Sequence, residues 1–183
     1  MKTLQSSLTL IALMLAAVSL PASAAQVSYA LSSLGGTQYR YTYTVTNDGT
    51  TGGAIKLFDV FFDPALYDES SLTIVTANPP ASDWDQLILA SGIAVPAAYD
   101  ALALSGGIPI NGSQAGFAVE FSWLGVGTPG AQDFAIVNPI TFDTLETGTT
   151  TTSVVPLPAT LPLLLTALGG VDRKSTRLNS SHG

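Results

Sequence analysis

The chain has 183 residues, of which 46% are hydrophobic and only 10% are charged, and its formal net charge is −7. This acidic balance argues against nucleic-acid binding, because phosphate groups would be repelled, and the absence of cysteine excludes disulfides, thiolate metal sites and a cysteine nucleophile. The 17 glycines and 11 prolines are typical of a turn-rich β domain, and the length fits one compact unit with end segments.

The first 24 residues predict a secretory signal peptide. Lys2 supplies the positive charge, residues 8–20 form the apolar segment, and Ala22-Ser23-Ala24 fits the small-residue cleavage site. We expect cleavage after Ala24, with cleavage after Ala25 as the alternative. Because this segment contributes no acid, its removal leaves a chain that is more acidic still, and we expect a soluble exported domain.

The clearest strand signal lies in residues 35–53, GGTQYRYTYTVTNDGTTGG. Tyrosine and valine alternate there with arginine and threonine, and this period of two predicts a half-buried strand that the NDGTTGG turn ends. The apolar side of that strand consists of Tyr39, Tyr41, Tyr43 and Val45. Further strands are predicted at 27–34, 54–62, 71–76, 86–90, 116–124 and 133–145, and short helical turns at 63–70 and 96–104.

Short strands separated by turn signals predict that residues 25–146 form a single antiparallel β-sandwich, either immunoglobulin-like or jelly-roll-like. The polar, threonine-rich residues 147–153 are interpreted as a linker. Trp84 and Trp123 are expected in the core or at a sheet edge. Stacking on sugar rings is the alternative role for both side chains.

Carboxylates are the candidate catalytic groups, because a catalytic triad, a zinc ligand set and a phosphate-binding glycine loop are all missing from the sequence. Asp83 and Asp85 flank Trp84 and would share a strand face, and Asp59 and Asp63 bracket two phenylalanines. Either pair could serve a glycoside hydrolase or supply oxygen ligands to calcium, although neither fits a calcium-loop pattern. We interpret them as solvated acids and expect no catalytic, cofactor or metal site and no cofactor.

The C-terminal region contains the apolar segment VVPLPATLPLLLTALGG at residues 154–170. Its prolines disfavour helix and keep the first part extended, whereas the leucines that follow begin an apolar run of about half the 20 residues that a membrane span needs. Together with the export signal, this segment resembles the PEP-CTERM family of bacterial sorting signals in its VPLPA variant. The motif consists of Val155, Pro156, Leu157, Pro158 and Ala159.

The resemblance implies a Gram-negative bacterium that makes exopolysaccharide, and a chain processed by signal peptidase and by an exosortase. The chain would pass through the inner membrane and reach the outer surface or the extracellular matrix. Residues 172–182 match one reading frame of a common short-read sequencing adapter, so we interpret 172–183 as an artefact that truncates the apolar helix of 154–171. The only histidine, His182, lies there and supports no function.

Three hypotheses about function follow from the sequence. The favoured one is a non-enzymatic cell-surface or extracellular-matrix protein that an exosortase sorts, with exopolysaccharide as a candidate partner and no nucleic-acid partner. The alternative is a carbohydrate-binding module on the cell surface, suggested by the two tryptophans and the tyrosine-rich strand. The third is a carboxylate-based glycoside hydrolase.

Overall fold

The computed structural model describes residues 25–153. The predicted signal peptide, the VPLPA motif and the segment 172–183 lie outside this range. Ala25, the alternative cleavage residue, lies within it. No helix capable of spanning a membrane occurs among the described residues. They form ten strands: β1 (Gln26–Gly35), β2 (Gln38–Thr46), β3 (Leu57–Phe62), β4 (Tyr67–Ile74), β5 (Trp84–Leu89), β6 (Ala97–Ala103), β7 (Ser113–Trp123), β8 (Asp133–Val137), β9 (Thr144–Thr149) and β10 (Thr151–Thr152).

The strands form two five-stranded sheets that pack face to face. The first sheet has the order β10-β1-β2-β7-β4, and the second has the order β5-β6-β3-β8-β9. Every pairing is antiparallel except that of β10 with β1, which is parallel. The predicted all-β sandwich is therefore confirmed.

The core lies between the sheets and is rich in aromatic side chains. Tyr41, Tyr43 and Val45 point inward from β2 and are fully buried, which confirms the alternation expected from the sequence. Further along the core, the Phe58 ring contacts Trp84 and Phe117 edge to face, with centroid distances of 5.8 and 4.9 Å. Such edge-to-face pairs add to the stabilisation from burial of apolar area.

The helical turn predicted at 96–104 is wrong, because these residues form β6 in the interior of the second sheet. Ala97, Tyr99 and Ala101 are inward-facing and almost fully buried. The alanine and leucine content suggested helix, but packing against neighbouring strands outweighs so weak an intrinsic preference. The predicted turn at 63–70 is wrong in its second half, since β4 begins at Tyr67.

The predicted strand at 133–145 is two strands. A turn at 138–143 separates β8 from β9, and it is closed by the Asn138 N–H donating to the Asp143 carbonyl at 2.9 Å. The Asn138 carboxamide oxygen also accepts from the Ile140 N–H at 2.9 Å. This arrangement is an Asx turn, a role that asparagine commonly has between strands.

The threonine-rich segment interpreted as a linker belongs to the folded domain. Thr147 and Thr149 pair with β8, and β10 then pairs with β1 on the other sheet. Between them Thr150 is buried and exchanges two bonds with Gln132: the Gln132 N–H donates to Thr150 Oγ1 at 2.8 Å, and the Thr150 N–H donates to the Gln132 carbonyl at 2.7 Å. Low complexity suggested a spacer, but β-branched threonine also suits edge strands. The domain therefore extends past residue 146 to at least residue 152.

Candidate functional site

A cavity of about 700 Å³ opens at one end of the sandwich. Three connecting segments surround it, because the chain turns at this end after β3, β5 and β7. These segments are residues 63–66, 90–96 and 124–132. The volume lies within the range of about 300–1,000 Å³ that is usual for small-ligand sites.

The apolar part of the cavity lining includes two aromatic side chains of the first sheet. Tyr67 begins β4 and Trp123 ends β7, and their rings meet edge to face with centroids 5.0 Å apart. Trp123 is only 9% exposed, and its indole N–H is buried without an acceptor among residues 25–153. A Cβ on Gly125 would lie 2.5 Å from the indole ring of Trp123. The absence of a side chain at Gly125 therefore allows the backbone after β7 to lie directly against this ring.

Buried tyrosine hydroxyl groups form hydrogen bonds with residues 130–132, the part of the cavity wall that precedes β8. The Tyr41 hydroxyl donates to the Gly130 carbonyl at 2.6 Å and lies 3.2 Å from the Tyr67 hydroxyl. The Tyr43 hydroxyl donates to the Gln132 side-chain oxygen. Burial raises the pKa of Tyr41, Tyr43 and Tyr67 above the ordinary tyrosine value, so all three remain neutral hydroxyl groups. The wall is therefore fixed by satisfied neutral bonds.

Two exposed carboxylates, Asp63 and Asp133, stand at the rim of the cavity. Asp63 Oδ1 accepts from the Ala65 N–H at 2.9 Å, and Asp133 Oδ1 accepts from Thr149 Oγ1 at 3.1 Å. Each bond orients one oxygen of the group and leaves the second oxygen without a partner among the described residues. Among the residues that the structure describes, no lysine or arginine lines this cavity. The rim is therefore acidic.

A second, more open groove of about 460 Å³ lies on the outer face of the second sheet. Asp59 of β3 and Asp100 of β6 are directly opposite each other at its centre. Most of the other groove-lining side chains are apolar: Leu57, Phe61, Leu87, Leu89, Leu102, Ala135, Val137 and Phe142. An apolar outer face is unusual for a sandwich, whose outward positions are commonly polar.

The pKa values of the two carboxyl groups in this groove are both raised. Burial raises the pKa of Asp59 to about 7, and interaction with the Asp100 carboxylate, through its hydrogen bonding and its charge, adds to the rise. Burial also raises the pKa of Asp100, although the hydrogen bond from Asp59 partly offsets this rise. One Asp59 oxygen is buried without a donor among residues 25–153.

Neither carboxylate pair proposed from the sequence forms a shared site. Asp83 lies in the turn before β5 and lines a cavity of about 240 Å³, whereas Asp85 lies on β5 and is exposed. Asp59 lies in the outer groove, but Asp63 lies at the rim of the end cavity. The actual partner of Asp59 is Asp100, which was missed because its segment was assigned to a helical turn. A strand assignment would have allowed a cross-strand pair.

Both tryptophans are core residues, as the sequence analysis preferred. Trp84 is 5% exposed, packs against Phe58 and Phe117 and lines the cavity of about 240 Å³ beside Asp83, so its alternative role of stacking on a sugar ring stays a prediction. Trp123 is buried too, but it contributes to the end cavity. Among residues 25–153, no cluster of three or more acidic or histidine side chains could hold a metal ion.

Comparison with known proteins assigns no family to this chain and finds only distant structural neighbours. No protein-family model matches the chain, and no curated protein matches it. Among solved structures, the chitin-binding domain of Chi18aC from Streptomyces coelicolor is 22% identical, with a TM-score of 0.37, covering 60% of this chain and 89% of that one. A cohesin–dockerin complex from Clostridium thermocellum is 10% identical, with a TM-score of 0.33, covering 70% of this chain and 99% of that one.

Proposed function

We propose that this chain is an exported, non-catalytic surface protein whose sandwich domain binds a glycan in the end cavity. The observation that carries the proposal is the combination of an aromatic lining, from Tyr67 and Trp123, with the rim carboxylates Asp63 and Asp133 in one cavity of about 700 Å³. Aromatic rings offer apolar contact to the C–H face of a sugar, and fixed carboxylates accept hydrogen bonds from its hydroxyl groups.

The carboxylate arrangement favours binding over hydrolysis. Glycoside hydrolases hold two carboxyl groups about 5–9.5 Å apart on either side of the scissile bond, with one of them protonated as the general acid. Asp59 and Asp100 face each other across neighbouring strands in the outer groove, and neither of them lines the end cavity. The rim groups Asp63 and Asp133 are exposed to solvent, where a general acid is not shielded from water.

The test of the glycan site is a variant that fills the cavity without touching the core. Val95 lines the cavity and is 57% exposed, so Val95→Trp should block the mouth and leave the fold intact. A glycan array first identifies the glycans that bind the unmodified chain. We expect the affinity of the Val95→Trp variant for these glycans to be lower by about tenfold or more. The matched control is Val126→Trp, at a fully exposed residue that does not line the cavity. Equal glycan binding by the two variants would place the site elsewhere.

We also propose that the segment after the domain delivers the chain to the cell surface. The support is the resemblance of Val155–Ala159 to the VPLPA sorting signal, which lies just beyond the last described strand. Signal peptidase would cleave after Ala24, since Ala25 is buried in the core of the domain. An exosortase would then remove the apolar tail from the inner membrane.

The sorting proposal is tested by mass spectrometry of the exported protein from a host that has the exosortase. We expect a mature chain that lacks residues 161–170. Replacement of Pro156 and Pro158 by alanine should leave uncleaved precursor in the inner membrane, because the recognition motif would no longer be held extended. Recovery of exported protein that still carries the leucine-rich segment would refute exosortase processing.

A further inference from the structure

The outer edge of β1 is paired over only part of its length. β1 is ten residues long, but β10 pairs with it only at Ser28 and Tyr29. β2 pairs with the opposite edge of β1 along almost the whole strand. Among the residues that the structure describes, no strand pairs with the outer edge beyond Tyr29. The backbone groups that face outward there form an open sheet edge, to which another strand can add.

The pairing already continues past the end of β10. Ser153 lies just after this strand, and its N–H donates to the Tyr29 carbonyl at 2.7 Å. Successive residues of a strand turn their backbone groups to opposite edges, so Leu31 and Ser33 face the same edge of β1 as Tyr29 does. In the same parallel register, the Val155 N–H would meet the Leu31 carbonyl, and the Val155 carbonyl would meet the Ser33 N–H.

The spacing of the prolines in the sequence fits this register. The residues after Ser153 read VVPLPA, with prolines at Pro156 and Pro158. Counted from Ser153, both prolines fall where the backbone nitrogen would point away from β1, so the missing N–H would remove no bond from the ladder. Val155 and Leu157 would point their N–H groups towards β1. Each of them precedes a proline and is thereby restricted to extended backbone.

The apolar pattern at this edge fits the register too. Because Tyr29 pairs with Thr152, Leu31 would pair with Val154. Paired residues project from the same face of a sheet, and on that face Leu31 is partly buried against the core. Val154 would therefore cover the outer side of Leu31 with an apolar side chain.

We propose that the open edge of β1 is the docking surface for the segment that follows β10. Residues 153–157 would add to this edge as a parallel strand, so that the first three residues of the VPLPA motif lie against the folded domain. The segment is joined directly to β10 and needs no linker to reach the edge. Pro156 and Pro158 would then protect the new outer edge, because proline offers no N–H to another chain.

The test is amide hydrogen exchange, followed by nuclear magnetic resonance, on the purified chain from a host that lacks an exosortase. Rates are corrected for the intrinsic exchange rate of each residue. We expect the Val155 and Leu157 amides to exchange at least about tenfold more slowly than the Val154 amide, which would point to solvent. The Ser33 amide should be slow as well, because it would donate to the tail.

Two proline variants connect this protection to strand pairing. Val155→Pro removes an N–H that would face β1, whereas the matched control Val154→Pro makes the same substitution where the N–H would face solvent. Neither variant changes a residue of the described domain, and unfolding curves check that the domain is intact. We expect Val155→Pro to speed exchange at Ser33 by about tenfold or more. Val154→Pro should leave Ser33 protected, and Ser32, which faces β2 opposite Arg40, should be unchanged in both.

Three results would overturn the inference. The first is equal exchange at Val154, Val155 and Leu157, and the second is equal protection of Ser33 in the two proline variants. The third is protection of Ser33 that disappears on dilution while light scattering detects dimers, since a second copy of the chain would then occupy the edge. The inference does not rest on the proposed functions: the measurement involves neither an exosortase nor a glycan, so its failure leaves sorting and glycan binding untouched.

Discussion

Replacement of Phe58 by alanine should lower the free energy of unfolding by about 3–5 kcal/mol, the usual cost of removing a buried phenylalanine side chain. Phe58 is the second residue of β3 and is fully buried, and its ring contacts those of Trp84, Tyr99 and Phe117. These partners come from three other strands in both sheets, so the truncation would leave a cavity that no single strand shift can fill. Urea unfolding followed by tryptophan fluorescence measures the loss.

The matched control for this prediction is Phe142→Ala. Phe142 lies in the turn between β8 and β9 and is 73% exposed, so the same truncation should change stability by less than about 0.5 kcal/mol. Equal losses for the two variants would show that the Phe58 site is not the packed centre of the core.

Replacement of Asp59 by asparagine should stabilise the domain at neutral and alkaline pH. Because the pKa of Asp59 is raised from 3.8 to about 7 on folding, the native state binds a proton more tightly than the unfolded chain does. The neutral Asp59 carboxyl group therefore contributes its full stability below about pH 4, and this contribution is lost as the pH rises through about 7. Two charges would then face each other across β3 and β6, with the Asp85 charge on β5 adding to the repulsion at Asp100.

An asparagine amide can donate to Asp100 at every pH without adding a charge. The whole pKa shift of Asp59 would correspond to about 4 kcal/mol of free energy. Because the groove is open to solvent, we expect Asp59→Asn to raise the free energy of unfolding at pH 8 by about 1–2 kcal/mol. Urea unfolding at several pH values measures this gain as the difference in free energy of unfolding between the variant and the parent. On β8 the residue opposite Asp59 is the uncharged Ala135, so no nearby cation offsets the repulsion from that strand.

The control for the pH experiment is Asp143→Asn, which makes the same change of charge in an exposed turn. Its stability difference from the parent should stay small and nearly constant between pH 4 and pH 8. A parent and an Asp59→Asn variant that respond identically to pH would show that Asp59 is already ionised in the native state at low pH.

The sequence predicted the sandwich correctly where one face of a strand is clearly apolar. In β2 the alternation of tyrosine and threonine distinguishes the buried face from the exposed face, and burial follows that pattern. It failed at β6, where Ala97, Tyr99 and Ala101 face the core and Asp100 is the only charged residue on the opposite face. A strand with one charged residue among apolar ones shows little alternation and is hard to tell from a short helix.

The end cavity could not be predicted from the sequence because its residues are distant along the chain. Asp63 and Asp133 look like ordinary acids at the ends of strands, and only the neighbouring positions of β3 and β8 in the second sheet bring them together. Trp123 was recognised as a candidate, but its packing against Tyr67 depends on the pairing of β4 with β7. Pairing order between strands is set by the whole fold and not by any local pattern.

The parallel pairing of β10 with β1 means that the first strand of the domain is paired on both edges only after the last strand has joined the sheet. Ser28, near the start of the domain, finds its partner only when Thr151, more than 120 residues later in the chain, is also available for folding. Until β10 has paired, the outer edge of β1 is an unpaired strand edge, which is a template for mispairing with another chain. The last residues of the domain therefore act as the closing step of folding.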